Sequence, residues 1–590
     1  MVKATLVLEG GANRGVFTSG VLDYLMEKDM YMSNVIGVSA GACNAVDYVS
    51  KQAGRSRECV IHREKEYDYV YGLKKTLKEK ALMDMDMLFD KFPNEIYPFD
   101  FETYFASEME CELVVTNCIT GDAEYLSEDK DPERLMKICR ASSSMPLAAP
   151  IANVDGIPYM DGGLADSIPI EYALEKGNDN IVVCDQRTAA ECDQIHEIVG
   201  RDQLIAITAN PALTGFTLSK LLWVRNHEPE VYAKCRHILL PKDYVRYMLT
   251  GDFATEVSDA SGMQMLDVPN RCWSEKLLNM LNIDPSLLAK VYESCEVTGH
   301  ISKAAAELTG LSEDTLVVGG AGDNAAAAVG TGVVEDGRAF TTIGTSGVVF
   351  AHTDKLAIDP KGRVHTFCCA VPGAWHVMGV TQAAGLSLKW FRDNFCMAEK
   401  EAAALMGEDP YNLMNKQAAQ SPIGANKLLY APYLMGERTP HLDADCRGMF
   451  FGLSAMHTRR DLLRAVMEGV TYSLKDCLNV LAEMGVAPET MLACGGGGKS
   501  PLWRQMLADV FQMPVATTVN TEGPALGVAI LAGVGAGLYA SVPEACRAMI
   551  HVNPAQNPIA ENVPQYEKVY ALYTKLYQAN KGLYKELAKL

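Results

Sequence analysis

The sequence predicts an α/β protein in which short buried strands alternate with helices. Apolar runs of strand length end repeatedly in glycine-rich loops, and stretches with helical periodicity follow those loops. A composition of 48% hydrophobic and 22% charged residues is typical of a folded globular chain. Since 590 residues exceed what one hydrophobic core usually organises, we expect several domains.

The net charge and the cysteine pattern limit the cellular environments and the binding partners expected for the chain. A formal net charge of -21 argues against a nucleic-acid-binding surface. The 17 cysteines show no repeated metal-ligand spacing, which favours reduced thiols and a cytoplasmic protein. The first apolar run is too short for a signal peptide or a transmembrane segment, and no later run reaches that length. A homodimer is compatible with this sequence.

The first strand, loop and helix unit begins at residue 5. Thr5 to Leu8 form the strand, Gly10 to Gly15 form a glycine-rich loop, and the helix carries Val16, Val21 and Leu25. Such a loop presents backbone N–H groups at a helix N-terminus, where the helix dipole favours an anion. The loop is suited to bind either a phosphate or a developing oxyanion.

The second unit contains a candidate nucleophile. Residues 34–37 form a strand, Gly37-Val38-Ser39-Ala40-Gly41 form a sharp turn, and residues 42–48 continue as a helix. This context is typical of a nucleophile elbow, in which flanking glycines let the serine hydroxyl project from a strand tip. We therefore predict that Ser39 is a nucleophile.

A nucleophilic serine needs a base, and two residues were weighed for that role. His62, the one histidine among the first 183 residues, lies in a charged segment and is expected to be an exposed surface residue. Asp161 follows a predicted hairpin over residues 153–159 that turns at Asp155-Gly156. Asp161 is the better candidate, although an aspartate here can also simply cap a turn.

Residues 1–183 resemble the bacterial patatin-like phospholipases. The resemblance is carried by a GGxxRG loop, a GxSxG elbow and a DGG motif in the family's order. It implies an α/β/α domain that hydrolyses a lipid or another acyl ester without a cofactor. It also implies a catalytic dyad of Ser39 and Asp161, and an oxyanion hole formed by Gly10, Gly11 and Ala12. The segment that usually follows in this family is absent.

A second candidate site follows in the remainder of the chain. The apolar run Leu316 to Val318 ends in a glycine-framed acidic segment that contains Asp323 and Asn324. Open α/β folds place their chemistry at the carboxyl ends of strands, so Asp323 is a candidate general base. From context alone, a helix-capping aspartate is an equal alternative.

Two further loops are suited to hold phosphate oxygens or a nucleotide. The strand over residues 339–343 leads into Gly344, Thr345, Ser346 and Gly347, which have backbone N–H and hydroxyl groups available. The strand over residues 491–493 leads into Gly495, Gly496, Gly497 and Gly498. The second loop lacks the glycine spacing of a Walker P-loop.

From residue 184 onward the chain resembles the FGGY carbohydrate kinases. Residues 215–227 and 448–468 match the two signatures of that family, and residues 432–441 resemble the xylulokinases among them. The resemblance implies a two-lobe actin/hexokinase-like, ribonuclease H-like fold, with ATP at the two glycine loops and Mg²⁺ as cofactor. Asp323 would be the general base, and with Asn324 it would bind the sugar. D-xylulose is the implied substrate, with other pentuloses and glycerol left open, and the metal ligands stay unassigned.

The first part of the kinase is missing. No DxGT phosphate motif occurs before Gly344. Because phosphoryl transfer depends on positioning and charge neutralisation, replacement of roughly ninety residues of the first lobe predicts weak or absent kinase activity. The predicted domains are a hydrolase over 1–183, the rest of the N-terminal kinase lobe over 184–310 and the C-terminal lobe over 311–590. Three alternatives stay open: only the hydrolase is active, the chain is a non-catalytic sugar- or nucleotide-binding remnant, or two sequences were mis-joined near residue 183.

Overall fold

A computed structural model describes residues 2–10, 15–60, 67, 69–70, 81–146, 148–166, 169, 172–173, 187–520 and 522–589. The chain forms two compact units, the first comprising Met1–Val183 with Glu228–Ala233 and the second Cys184–His227 with Lys234–Leu590. All cysteines of the described residues are free thiols. No helix within these ranges is long and apolar enough to cross a membrane.

The first unit is built on one mixed sheet. Its strands are β1 (Val2–Leu8), β2 (Met32–Val38), β3 (Glu110–Asn117), β4 (Ala123–Leu126), β5 (Ala152–Val154) and β6 (Ile157–Asp161). The order is β1-β2-β3-β6-β5, with β4 also paired to β3. Pairing is parallel from β1 to β3 and antiparallel elsewhere. As the sequence predicts, β5 and β6 form a hairpin, and Asp155 and Gly156 take the positive φ angles that a tight turn requires.

Helices pack against this sheet. They are α1 (Gly15–Glu27), α2 (Ala40–Val49), α3 (Arg55–Val60), a π-helix (Met87–Ile96), α4 (Phe101–Phe105) and α5 (Pro132–Ser142). Because side chains alternate along a strand, Val35 and Leu113 pack with α2 and α5, while Ile36 and Val114 are buried on the opposite face with Ala173. Both faces of the sheet are therefore covered.

The second unit contains a six-stranded sheet and several two-stranded ones. Its strands are β7 (Ala254–Glu256), β8 (Leu266–Asp267), β9 (Cys272–Trp273), β10 (Lys290–Tyr292), β11 (Val297–His300), β12 (Leu316–Val318), β13 (Arg338–Ile343), β14 (Gly347–Thr353), β15 (His365–Cys368), β16 (Trp375–Thr381), β17 (Leu429–Ala431), β18 (Met449–Phe451), β19 (Thr490–Cys494) and β20 (Val515–Ala516). The large sheet has the order β15-β16-β14-β13-β19-β20. Within residues 187–318 the described strands form only two-stranded sheets.

The remaining helices begin at residue 189. They are α6 (Ala189–Val199), α7 (Arg201–Thr208), α8 (Thr217–His227), α9 (Pro229–Lys234), α10 (Pro241–Thr250), α11 (Val257–Ala260), α12 (Glu275–Met280), α13 (Lys303–Thr309), α14 (Asp323–Thr331), α15 (Gly385–Phe395), α16 (Met397–Met406), α17 (Pro410–Ala418), α18 (Arg459–Glu483), α19 (Gly495–Gly498), α20 (Pro501–Phe511), α21 (Gly523–Gly535), α22 (Val542–Met549) and α23 (Val563–Leu587). The long helix α18 is mostly buried and packs with β13, β14 and β16 in the main core of this unit.

Two helices approach each other with almost no side chains between them. A Cβ added at Gly330 of α14 would lie 1.7 Å from the carbonyl oxygen of Gly523 in α21, and one at Gly527 would lie 1.9 Å from that of Ala326. Since no real Cβ tolerates such distances, only glycine permits this contact.

Candidate active sites

Ser39 lies at a strained turn between β2 and α2. Its backbone has φ 56° and ψ -122°, a conformation that costs a non-glycine residue about 1–3 kcal/mol. An added Cβ at Gly37 would lie 2.6 Å from the Gly41 carbonyl oxygen, and one at Gly41 would lie 2.1 Å from that of Leu8. The glycines thus have the role that the sequence predicts, since they let strand and helix meet at the serine.

Asp161 ends β6 and is 3% exposed. Its Oδ1 accepts a 2.9 Å hydrogen bond from the Gly163 amide. Burial raises the pKa of Asp161, and the nearby Ser39 hydroxyl and the Gly163 amide partly offset that rise. Oδ2 is buried and has no partner at hydrogen-bonding geometry. Catalytic hydrogen bonds commonly tighten only when substrate binds.

Gly10, which follows β1 and begins the predicted glycine loop, lies beside Ser39. A Cβ at Gly10 would lie 2.7 Å from the Ser39 Cβ and 3.4 Å from its Oγ. Gly10 is therefore positioned next to the hydroxyl, as an oxyanion loop requires. The other two predicted oxyanion residues, Gly11 and Ala12, lie outside the described residues, as does His62.

One serine was missed by the sequence analysis. The Ser39 amide donates a 3.0 Å hydrogen bond to the Ser142 hydroxyl, which in turn donates to the Val114 carbonyl at 2.6 Å. Ser142 therefore ties the turn to β3. Its position at the end of α5 gives no local signal, because the contact spans 103 residues of sequence.

A cavity of about 160 Å³ opens at Ser39 and Asp161. Its walls come from α2, α3, the π-helix and α5, and most of the side chains that line it are apolar. The exceptions include Asp47, whose Oδ1 is 2.7 Å from Nη1 of Arg55. The residue pattern of the sequence does not predict this cavity, because several separate elements form its walls.

In the second unit, Asp323 is the first residue of α14, just beyond β12. Its Oδ1 accepts hydrogen bonds from the backbone amide of Asn324 at 2.7 Å and from the side-chain amide at 3.0 Å. The two predicted substrate-binding residues, which are neighbours in sequence, thus hydrogen-bond to each other. The preceding loop is fixed by the Gly322 amide, which donates to the Ser258 hydroxyl at 3.0 Å.

A cluster of charges that sequence analysis missed lies beside this loop. The Lys242 ammonium is 3.0 Å from Asp243, 3.4 Å from Glu256 and 3.7 Å from Asp259. Burial raises the pKa of Asp259 to about 6, with Lys242 opposing the rise and Asp323 among the acidic groups that add to it. Lys242 and Arg246 also donate to the Gly319 carbonyl. These residues come from α10, β7 and α11, so only the fold assembles them.

The two glycine segments lie at the same end of the large sheet. β13 and β19 are parallel neighbours, so Gly344 and Gly495, which follow them, lie at the same end. A Cβ at Gly495 would lie 2.9 Å from the Ile343 carbonyl oxygen, whereas one at Gly496 would meet nothing within 4 Å. Gly495–Gly498 form the helical turn α19 instead of the predicted loop, and among them only Gly496 has open space beside its backbone. The N–H groups at the start of this turn fit a nucleotide phosphate.

Comparison with known proteins gives the family. Residues 176–330 match the N-terminal domain of the FGGY family of carbohydrate kinases, and residues 339–536 match its C-terminal domain. The chain is 39% identical over 431 residues to a xylulose kinase of Bacillus subtilis, which covers 73% of this chain and 84% of that relative. The chain belongs to the FGGY family of carbohydrate kinases. This FGGY chain is also 31% identical over 426 residues to a gluconokinase of Bacillus subtilis, covering 70% of this chain and 82% of the relative.

Structural comparison agrees with the FGGY assignment. A xyloylose kinase from Brucella ovis superposes with a TM-score of 0.62 at 33% identity, covering 68% of this chain and 79% of the other. The two-lobe actin/hexokinase-like fold predicted for this part is therefore confirmed. Residues 6–174 match the patatin-like phospholipase model, so the FGGY chain also carries a patatin-like domain, as the motifs predict.

Proposed function

We propose that the FGGY part transfers the γ-phosphoryl group of ATP to D-xylulose, giving D-xylulose 5-phosphate. The proposal rests on Asp323, a carboxylate at the carboxyl end of β12 beside Asn324. The relatives named xylulose kinase support the choice of sugar.

In this mechanism Asp323 accepts the proton of the sugar hydroxyl as that oxygen attacks the γ-phosphorus. The bond from the γ-phosphorus to the bridging oxygen breaks, and ADP leaves. The loops at Gly344–Gly347 and Gly495–Gly498 would hold the nucleotide with their N–H groups. The described residues contain no group of three His, Cys, Asp or Glu side chains arranged to bind a metal ion. Mg²⁺ commonly binds through the nucleotide phosphates and one or two carboxylates.

We expect the rate to be low. The sequence lacks a DxGT motif before Gly344, and phosphoryl transfer depends on charge neutralisation at every phosphate contact. The alternative substrates are other pentuloses, gluconate and glycerol.

The test is release of ADP in the presence of each sugar. D-xylulose should give the highest rate, and Asp323→Asn should abolish it. Asp314→Asn, at a nearby exposed position, is the matched control and should leave the rate unchanged. Sugar-dependent ADP release that Asp323→Asn does not alter would remove Asp323 as the base.

A second function is favoured by the elbow itself. We propose that the patatin-like domain hydrolyses acyl esters, because Ser39 is held in a strained turn that lines an apolar cavity beside buried Asp161. The Ser39 oxygen attacks the acyl carbonyl while Asp161 accepts its proton, and the alcohol leaves. Water then cleaves the acyl-enzyme. The raised pKa of Asp161 makes it a stronger base than an exposed aspartate.

Hydrolysis of a short-chain fluorogenic ester tests this second proposal. Ser39→Ala should remove the activity, and Ser127→Ala, an exposed serine of the same unit, should retain it. Hydrolysis that persists in Ser39→Ala would show that Ser39 is not the nucleophile.

A further inference from the structure

The cavity beside Ser39 follows one face of helix α2. Ser39, Cys43 and Asp47 are spaced four residues apart, so their side chains lie in one row, and all three line the cavity. Asp47 is the last residue of α2 that lines it. The cavity thus has a reactive end at Ser39 and an opposite end at Asp47.

The wall between these ends is mostly apolar. Val46, Val60, Leu88 and Phe89 contribute hydrocarbon or aromatic surface from three elements. Burial raises the pKa of the Cys43 thiol to about 11. This thiol is neutral near pH 7, and a neutral cysteine behaves as a small hydrophobic side chain. Asn44 and Ser143, which also line the cavity, are neutral, and the charged residues of the lining are Asp161, Asp47 and Arg55.

The far end has a different chemistry. Asp47 Oδ1 pairs with Arg55 Nη1 at 2.7 Å, and Oδ2 accepts a hydrogen bond from Ser56. Arg55 Nε donates to the Tyr97 carbonyl at 3.0 Å. If the terminal methyl group of an acyl chain entered this network, it would separate the Asp47–Arg55 ion pair and offer no hydrogen bond in its place. Apolar occupancy should therefore stop at the Asp47–Arg55 pair.

Two measures give the length of chain that fits. Along α2, Asp47 lies about 12 Å from Ser39 at a rise of about 1.5 Å per residue. A fully extended chain advances about 1.2 Å per bond, so the gap spans about eight carbons once the side chains at both ends are allowed for. The cavity volume of about 160 Å³ is close to the roughly 150 Å³ apolar cavity that accepts a benzene-sized ligand of six carbons.

We propose that this cavity is an acyl pocket that selects chains of about six to eight carbons, with the Asp47–Arg55 pair as the stop that limits their length. The inference rests on the proposed hydrolase function, since it assigns the acyl group that Ser39 would carry. It names medium-chain acyl esters as the substrate class.

Binding to the Ser39→Ala variant of the full chain tests the pocket without any need for turnover. Straight-chain carboxylic acids of about four to sixteen carbons would be titrated by calorimetry. Affinity should rise about fourfold for each added methylene up to about eight carbons and then stay level. A rise that continues to the longest acid, or no dependence on length, would overturn the proposal.

A substitution partway along the row tests the same limit by hydrolysis. Position 43 is one helical turn from Ser39, so Cys43→Phe should block the pocket about 6 Å from the nucleophile. The preferred ester should shorten to about four carbons or fewer, with at least a tenfold loss on the eight-carbon ester. Cys118→Phe, at an exposed position of the same unit, is the control and should keep the original preference.

The two experiments separate the pocket from the catalytic assignment. If Ser39→Ala leaves ester hydrolysis unchanged, the hydrolase proposal is wrong, while the binding series still decides the length limit. If hydrolysis depends on Ser39 but Cys43→Phe keeps its preference for the longer esters, the pocket proposal is wrong. Circular dichroism of each variant shows whether it is folded.

Discussion

The Ser39 and Asp323 sites differ in how much of the chain each needs. Ser39 owes its backbone geometry to a five-residue turn in which Gly37 meets α2 and Gly41 meets β1, while Asp161, Gly10 and Ser142 complete the site. Asp323 depends on a loop fixed from α10, β7 and α11, and the nucleotide loops follow other strands. A locally specified site can survive the rearrangement of a chain, whereas a distributed site weakens with each part that is removed.

The largest effect that tests this contrast is expected at Asp161. Asp161→Asn should lower ester hydrolysis about 10³-fold, because the amide cannot accept the serine proton. The free energy of unfolding should not fall, because the substitution removes a buried carboxylate whose Oδ2 atom accepts no hydrogen bond. The measurements are the hydrolysis rate and the unfolding midpoint. Asp122→Asn, which is exposed, should change neither, and an active Asp161→Asn would show that the two-residue site is misassigned.

Gly41→Ala tests whether the turn is fixed by backbone contact. The new Cβ would lie 2.1 Å from the Leu8 carbonyl oxygen, so we expect a loss of about 3 kcal/mol in unfolding free energy. Urea unfolding of the full chain measures this loss. Gly20→Ala in α1 is the matched control, because its Cβ meets nothing within 4 Å and alanine favours a helix by up to about 1 kcal/mol. Equal stability of the two variants would contradict the close contact.

Lys242→Met tests the distributed site. Removal of the ammonium leaves Glu256 and Asp259 without this cation and takes one of two donors from the Gly319 carbonyl, while Asp243 keeps Arg246. The loop before Asp323 should shift, which we expect to lower sugar-dependent ADP release about tenfold. Lys276→Met, an exposed lysine on α12, should have no effect. An unchanged rate in Lys242→Met would mean that this cluster does not position Asp323.

The smallest effect concerns pH. The pKa of folded Asp259 is raised to about 6, so the folded state favours the protonated carboxyl. The contribution of this group to the free energy of unfolding is therefore fully present below its ordinary pKa and is lost as the pH rises through about 6. A third of the side chain is exposed, at 33%, so solvent screening limits the effect to about 1 kcal/mol. Asp259→Asn should therefore stabilise the second unit by that amount at pH 7.5 and by nothing near pH 4. A stabilisation that is independent of pH would exclude titration of Asp259 as its source.

Whether the sequence predicts a feature depends on whether neighbouring residues alone determine it or whether it needs packing between elements. The Asp155-Gly156 hairpin and the Ser39 turn were predicted because they need positive φ or missing side chains, and those needs appear in the residue types themselves. The Lys242 cluster, the Ser142 hydrogen bond and the Asp47–Arg55 end of the cavity were not predicted. The Ser142 hydrogen bond joins elements far apart in the chain, and the other two features depend on how neighbouring elements fold back on one another. No local residue pattern is required for any of them.

The contact between α14 and α21 limits which substitutions the gene can accept at two distant positions. Because Gly330 and Gly527 each meet a carbonyl of the partner helix, a larger residue at one cannot be compensated by a smaller one at the other. Two stretches of the gene nearly two hundred codons apart are therefore constrained together, with no single-step path of compensating change between them. The exposed residues of the helix that begins at Asp323 can therefore be substituted during evolution, whereas the glycines that set its distance from α21 cannot.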